Sequence, residues 1–212
     1  MKFEIFNGSI GLGLYSIMSM SKIACDCQHQ KCHILLDDLL KKEPHKITLG
    51  GVGIVVLNYY PGKGWCILLG KERDGIYKHK YNLAAGKVEG HMCYIYTFIK
   101  ELAEEFKISI FEEDIPTYFA QENGDWRIFI HNGTPIFVGI FPNISRGPLN
   151  KKIMEANKNS SLNWCEREME CVDFFKLDTL QQIDGKNVDD SGYKIKVTSF
   201  AAEVVQEVKK FL

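Results

Sequence analysis

Neither sign of charge prevails in this chain. Its 212 residues hold 26 Lys plus Arg against 27 Asp plus Glu, a net charge of -1 at pH 7. A chain without a basic excess has no global field to draw it onto nucleic acid or an anionic membrane. A local basic groove is not thereby excluded. No run reaches the roughly 18 uninterrupted apolar residues of a membrane helix. The mildly apolar stretch from Phe6 to Met20 makes a poor signal peptide. Glu4 sits in its basic region, and Asn7, Gly8, Ser9, Gly11 and Gly13 dilute the rest. There is no internal repeat and no low-complexity tract. The seven cysteines are odd in number and scattered, apart from a cluster near the N-terminus, which does not read as a disulfide scaffold. Reduced thiols in a cytosol-like compartment are the simpler reading, so the expected location is cytoplasmic, with no membrane partner.

What is present is the balance of a soluble globular protein, 45% hydrophobic and 25% charged. Residues 1–45 differ from the rest and read as an N-terminal extension with a short helix, spaced by Ile34, Leu35 and Leu39 and ended by Pro44. Within it "CDCQHQKCH" packs Cys25, Cys27, Cys32, His29 and His33 together. These are zinc-ligand types, but structural zinc sites usually draw on two separated knuckles. A reduced, solvated segment is the plainer alternative.

Residues 46–212 read as one domain. "ITLGGVGIVVLNYY", the turn "PGKG" and "WCILLGKER" suggest a hairpin. A loop, "DGIYKHKYNLAAG", leads through a short extended piece to a helix from about Met92 to Phe106. "TYFAQENGDWRIFIHNGTPIFVGIF" suggests strands divided by turns at Asn123-Gly124 and Asn132-Gly133. "GPLNKKIMEANKNSSLN" reads as a polar, part-helical insertion, and "EREMECVDFFKLDTL" contains a last strand. "VTSFAAEVVQEVKKFL" closes the chain as an amphipathic helix, with Ser199 as the expected N-cap. The expected architecture is α/β: a mixed sheet with helices on both faces.

The helix after the glycine-rich loop raises a chemical question. Glu101, Glu104 and Glu105 stand at i, i+3 and i+4, so their carboxylates share one stripe. Tyr94, Phe98, Ile99, Leu102 and Phe106 cover the other side and suit docking on a sheet. A stripe of like charges is usually just a solvated face. The preceding "NLAAGKVEGH" places Gly86 and Gly90 where backbone can approach a ligand closely. A tight loop followed by a carboxylate-striped helix suits a diphosphate held through Mg²⁺, which prefers oxygen ligands.

The segment from Gly86 to Ile108 resembles the Nudix box, G-x5-E-x7-R-E-U-x-E-E-x-G-U, with Lys100, Glu101, Leu102, Ala103, Glu104, Glu105 and Ile108 in register. The upstream "GGVGIVVL", "WCILLGKER" and "YNLAAGKVEG" resemble the usual lead-in, so the likeness covers roughly 46–180. Met92 stands in place of the first glutamate, Lys100 of arginine, His91 and Lys107 of glycines, and Ala85 where a Gly-Gly pair begins.

The resemblance implies a Nudix-like α/β/α sandwich and a pyrophosphohydrolase using Mg²⁺ or Mn²⁺. It implies metal ligands at Glu101, Glu104, Glu105 and the carbonyl of Ala85. It implies catalytic roles for Glu101, Glu105 and a further glutamate before an aromatic strand. Glu168 has the spacing for that role, ahead of Phe174, with Glu166 and Glu170 as rivals. It implies substrate contacts at Arg73, Gly86 and Lys87, although a surface salt bridge is an equal reading for Arg73.

The expected partner is a nucleotide-type small molecule; a homodimer is allowed. Capped RNA is the alternative substrate, as in viral decapping members of the family. Tyr118, Phe119, Trp126 and Phe129 could then stack a base, though such aromatics are more often core. Neutral net charge weighs against RNA. The lack of a dense cluster beyond Lys71, Arg73, Lys78 and Lys80 weighs against diphosphoinositol polyphosphates. A catalytically inactive ligand-binding module is the third reading.

Overall fold

The computed structural model describes residues 50–88, 93–122, 124, 126–183, 186–188, 194–209 and 212. The N-terminal extension, its cysteine cluster, Gly90, His91, Met92 and Asn123 lie outside them.

The first strands follow from β-branched alternation. Strand β1 (Gly51–Tyr60) sends Val52, Ile54 and Val56 to one face and Val55 and Leu57 to the other, and all are buried. It turns through Pro61 to Lys63 into antiparallel β2 (Gly64–Glu72), with Tyr60 opposite Gly64. Beyond Val56↔Leu68 the two strands part toward the N-terminus of β1 and the C-terminus of β2. The next segment fills the gap. Strand β3 (Tyr81–Asn82) pairs with β2 at Lys71 and Gly70, and β4 (Ala84–Lys87) pairs with β1 from Gly51 to Ile54.

This wedge delivers the chain to helix α1 (Tyr94–Glu105), capped by Cys93, whose Sγ accepts from the Tyr96 N–H at 3.3 Å. The helix docks Phe98, Leu102 and Phe106 against Val52, Ile54, Val56, Leu68 and Phe137. Burying each such side chain contributes about 1.5–3 kcal/mol. The helix ends at Lys107, whose φ of 58° lies in the left-handed region. That explains why glycine is usual at this register. Here the Lys107 ammonium donates to the carbonyls of Glu104 and Glu166, and the Ile108 N–H donates to the Leu102 carbonyl.

Tyr118 and Phe119 do not form the expected strand. They lie in a short helix, α2 (Ile115–Phe119), with Pro116 in its first turn, where a missing N–H costs nothing. Strands β5 (Ile128–His131) and β6 (Thr134–Ile140) follow as a hairpin. Its turn is the expected Asn132-Gly133, with φ of 47° and 82° as a type I′ turn requires. Strand β6 runs parallel to β1, so the sheet is mixed.

The polar insertion is a helix, α3 (Arg146–Lys158), which buries Leu149 and Ile153. It also closes the free edge of β7 (Met169–Lys176), which pairs antiparallel with β2. Asn150 donates to the Val172 carbonyl at 2.9 Å and accepts from the Val172 N–H at 2.7 Å; Asn157 donates to the Met169 carbonyl at 2.9 Å. Two asparagines thus satisfy edge groups that would otherwise invite another strand.

A small antiparallel sheet of β8 (Gln181–Ile183), β9 (Lys186–Val188) and β10 (Lys194–Ile195) was not anticipated. The last helix, α4 (Ser199–Lys209), buries Ala201, Val204, Val205 and Val208 on the sheet face opposite α1. Its cap is Thr198 rather than Ser199, because Thr198 Oγ1 accepts from the Ala201 N–H at 3.2 Å. The fold is therefore the expected mixed sheet between helices, with two cores divided by the sheet. Among the described residues no helix is long and apolar enough to cross a membrane.

Candidate active site

The wedge strand and α1 meet through one contact. A Cβ on Gly86 would come within 2.5 Å of Glu101 Cγ and closer still to its carboxylate. Glycine at 86 is what lets the Glu101 carboxylate lie against the β4 backbone. One turn further on, Glu105 accepts from the Ala85 N–H at 3.1 Å. The two acids are 8% and 5% exposed, so the helix stripe is not a solvated face.

Two more carboxylates arrive from the sheet. Along β2, Leu68, Gly70 and Glu72 alternate onto the α1 side. Glu72 is 5% exposed and accepts from Asn82 Nδ2 at 3.0 Å. Its cross-strand partner is Met169, beyond a bulge in which Glu170 is the extra residue. Glu168 therefore stands beside Glu72, held by the Arg73 N–H on its carbonyl at 2.8 Å. Of the three glutamates weighed for the position before the aromatic strand, only Glu168 faces the stripe. Glu166 accepts from the Asn163 N–H, and Glu170 pairs with Lys71 and His79.

Crowding of carboxylates away from water shifts their protonation. Burial first, then the negative charges of Glu168, Glu101 and Glu72, pushes Glu105 well above the usual carboxylate range, with the Ala85 N–H opposing. Burial also raises Glu72, against hydrogen bonds from Asn82 and Glu168. Glu168 is pushed up to about 7 by burial and by the charges of Glu72 and Glu101. Among the described residues, Lys100 stands 3.9 Å from Glu101 and 3.6 Å from Glu104, and Lys107 also acts on Glu104 and Glu105. The buried Glu104 Oε2 has no hydrogen-bond partner among the described residues.

The donor set suits a hard divalent cation in chemistry: all oxygen, excess negative charge, one buried oxygen without a hydrogen bond. Its arrangement is not a ready-made cage. Among the described residues no three His, Cys, Asp or Glu side chains stand as a metal site.

Ala85 offers its N–H to Glu105, and Lys87 is exposed at the end of β4. The Arg73 guanidinium is held by Asp74 at 2.8 Å and Asn157 at 3.1 Å. Phe119 is fully buried and Tyr118 stacks on Phe141 at 4.5 Å, while Trp126 and Phe129 pack against the two cores. Phe119 is thus a core residue, whereas Tyr118, Trp126 and Phe129 are only partly buried. Glu72 was missed, although strand alternation with Leu68 and Gly70 would have turned it toward α1.

No family model matches the chain, and no curated protein matches it. It is similar to solved structures of Nudix proteins. One is a MutT/nudix family protein from Enterococcus faecalis, 12% identical, covering 97% of this chain and 75% of that one, with a TM-score of 0.42. Another is a C. elegans Ap4A hydrolase binary complex, 15% identical, covering 76% and 95%, with a TM-score of 0.44. A third is the NUDIX domain of Shewanella oneidensis NrtR complexed with ADP ribose, 11% identical, covering 82% and 97%, with a TM-score of 0.44. At such identities and scores, none of the three assigns a chemistry to this chain.

Proposed function

We propose that the chain is a Nudix-type pyrophosphohydrolase, which cleaves a diphosphate linkage in a nucleoside diphosphate derivative by attack of water. The observation that carries this reading is the burial of Glu101 and Glu105 beside Glu72, Glu168 and Glu104, five acids against Lys100 and Lys107 among the described residues. Converging acids of this kind destabilise a fold unless something cationic joins them. Mg²⁺ or Mn²⁺ is that partner. Glu101, Glu104 and Glu105, with the Ala85 carbonyl, would hold it, and bound there it offsets diphosphate charge and acidifies water.

The chain's own groups do the rest. Glu168, near neutral in its proton affinity, takes the proton from the attacking water as the new P–O bond forms and the anhydride P–O bond breaks. Glu101 orients that water. Gly86 keeps the backbone close to the phosphates, and Lys87, exposed beside it, supplies a charge for them. Arg73 serves the site through its backbone hold on Glu168.

The test is turnover of a panel with Mg²⁺ or Mn²⁺: nucleoside di- and triphosphates, ADP-ribose, NADH, dinucleoside polyphosphates and capped RNA. Wild type is expected to turn over one small-molecule member, and Glu105→Gln to lose that turnover by at least about 100-fold. Turnover confined to capped RNA would move the reading to decapping. No turnover by folded protein would leave a binding module.

A further inference from the structure

Glu72 lies in the strand "WCILLGKER" but outside the box and every expected site residue, yet it is as buried as Glu105. A buried acid is a poor choice for stability, since an apolar residue of similar volume would avoid its desolvation. Its surroundings suggest another use. Asn82 Nδ2 donates to Glu72 Oε1 at 3.0 Å. The orientation of that amide is set one link further back, where Thr198 Oγ1 donates to Asn82 Oδ1 at 2.8 Å. The same hydroxyl oxygen accepts from the Ala201 N–H at the start of α4, so its own proton is free to point at Asn82. On the other side, the register shift at Lys71/Glu72 sets Glu168 next to Glu72, close enough for the two carboxyls to interact directly. The Glu168 backbone is fixed by Arg73, next to Glu72 in β2.

We infer that Glu72 is a positioning residue: the chain Thr198–Asn82–Glu72 anchors the Glu168 carboxyl from the core and aims it at the Glu101 and Glu105 side. The inference rests on the proposed hydrolase reading for what Glu168 does once aimed. The relay itself crosses the sheet, from the cap of α4 on one face to the acid cluster on the other.

Glu72→Gln and Glu72→Met separate the link from the charge. Glutamine can accept from Asn82 and donate to Glu168; methionine can do neither. With Glu72→Gln, kcat is expected to stay within about 3-fold of wild type. With Glu72→Met it is expected to fall about 10–100-fold at little-changed KM, the usual cost of losing an outer orienting group. Added to Glu168→Gln, Glu72→Met should cost nothing further, because both act through one group. Asn82→Leu breaks the chain one link back and should repeat the methionine pattern. A second readout needs neither metal nor turnover. The χ1 rotamer of Glu168, read from three-bond scalar couplings in metal-free protein, should match between wild type and Glu72→Gln, and become averaged in Glu72→Met. Additive losses, a methionine variant with wild-type kcat, or a Glu168 rotamer unchanged in that variant would overturn the inference. If Glu168→Gln alone leaves turnover intact, or wild type has none, the hydrolase reading fails, and the rotamer still decides whether the relay exists.

Discussion

Strands β2 and β7 carry two clusters of charge that are close in sequence and opposite in character. Lys71, Glu170 and His79 make an exposed group in which the acid has two basic neighbours, each at 3.0 Å. Burial alone would raise Glu170, but Lys71 and His79 outweigh it and hold its carboxyl below the usual range. Glu72 and Glu168, one and two residues away, face the α1 side, meet other acids and are pushed the opposite way. The β-bulge at Lys71/Glu72 separates the two sets. The exposed cluster is complete in itself. Among the described residues the buried one holds more acids than cations, and the proposed metal site rests on that excess.

The comparison breaks most sharply at Gly86. Gly86→Ala is expected to push Glu101 off β4, cutting turnover by about 100-fold or more and costing about 1–3 kcal/mol of stability, measured by chemical denaturation. An alanine variant with wild-type activity would mean that Glu101 does not work from this position.

The next effect is on pH and stability. Glu72, Glu105 and Glu168 have folded proton affinities above the unfolded ones, so the folded chain binds more protons. Stability from this source is full below the unfolded pKa of about 4.5 and is lost as pH rises through about 7, the value for Glu168. Metal-free protein is expected to melt about 3–6 °C lower at pH 8 than at pH 6, a loss of about 1–2 kcal/mol after allowing for solvent screening at half-exposed Glu168. Saturating Mg²⁺ should remove most of the difference. A Tm that rises with pH in metal-free protein would contradict the assignment.

The smallest effect belongs to the exposed cluster. Glu170→Gln should change stability by less than about 1 kcal/mol and leave turnover unchanged. An activity loss there would transfer the role of Glu168 to its neighbour.

Legibility in the sequence followed the range of the interaction. The 51–72 hairpin, the Asn132-Gly133 turn and the register of α1 rest on alternation, turn chemistry and 3.6-residue spacing, all local, and all were readable. The spacing of Glu168 from Phe174 was readable as well. Local signals misled where a specific partner decided: Pro116 favours a helix turn at Tyr118 and Phe119, and Thr198 caps α4 in place of Ser199. Glu72 was hidden because its meaning comes from Glu168, 96 residues away, and from Asn82 and Thr198 behind it. Alternation gives a face, not the neighbour met there. The edge-closing asparagines of α3 are the same case: nothing in "GPLNKKIMEANK" names β7 as their partner.

The central claim is that the buried acids exist to hold a divalent cation. Mn²⁺ binding, followed by electron paramagnetic resonance at pH 8 in wild type, Glu105→Gln and Glu170→Gln, tests it without a substrate. The account expects saturable binding in wild type and Glu170→Gln, and binding weakened at least about 10-fold in Glu105→Gln. Equal binding in all three, or none in wild type, would contradict it.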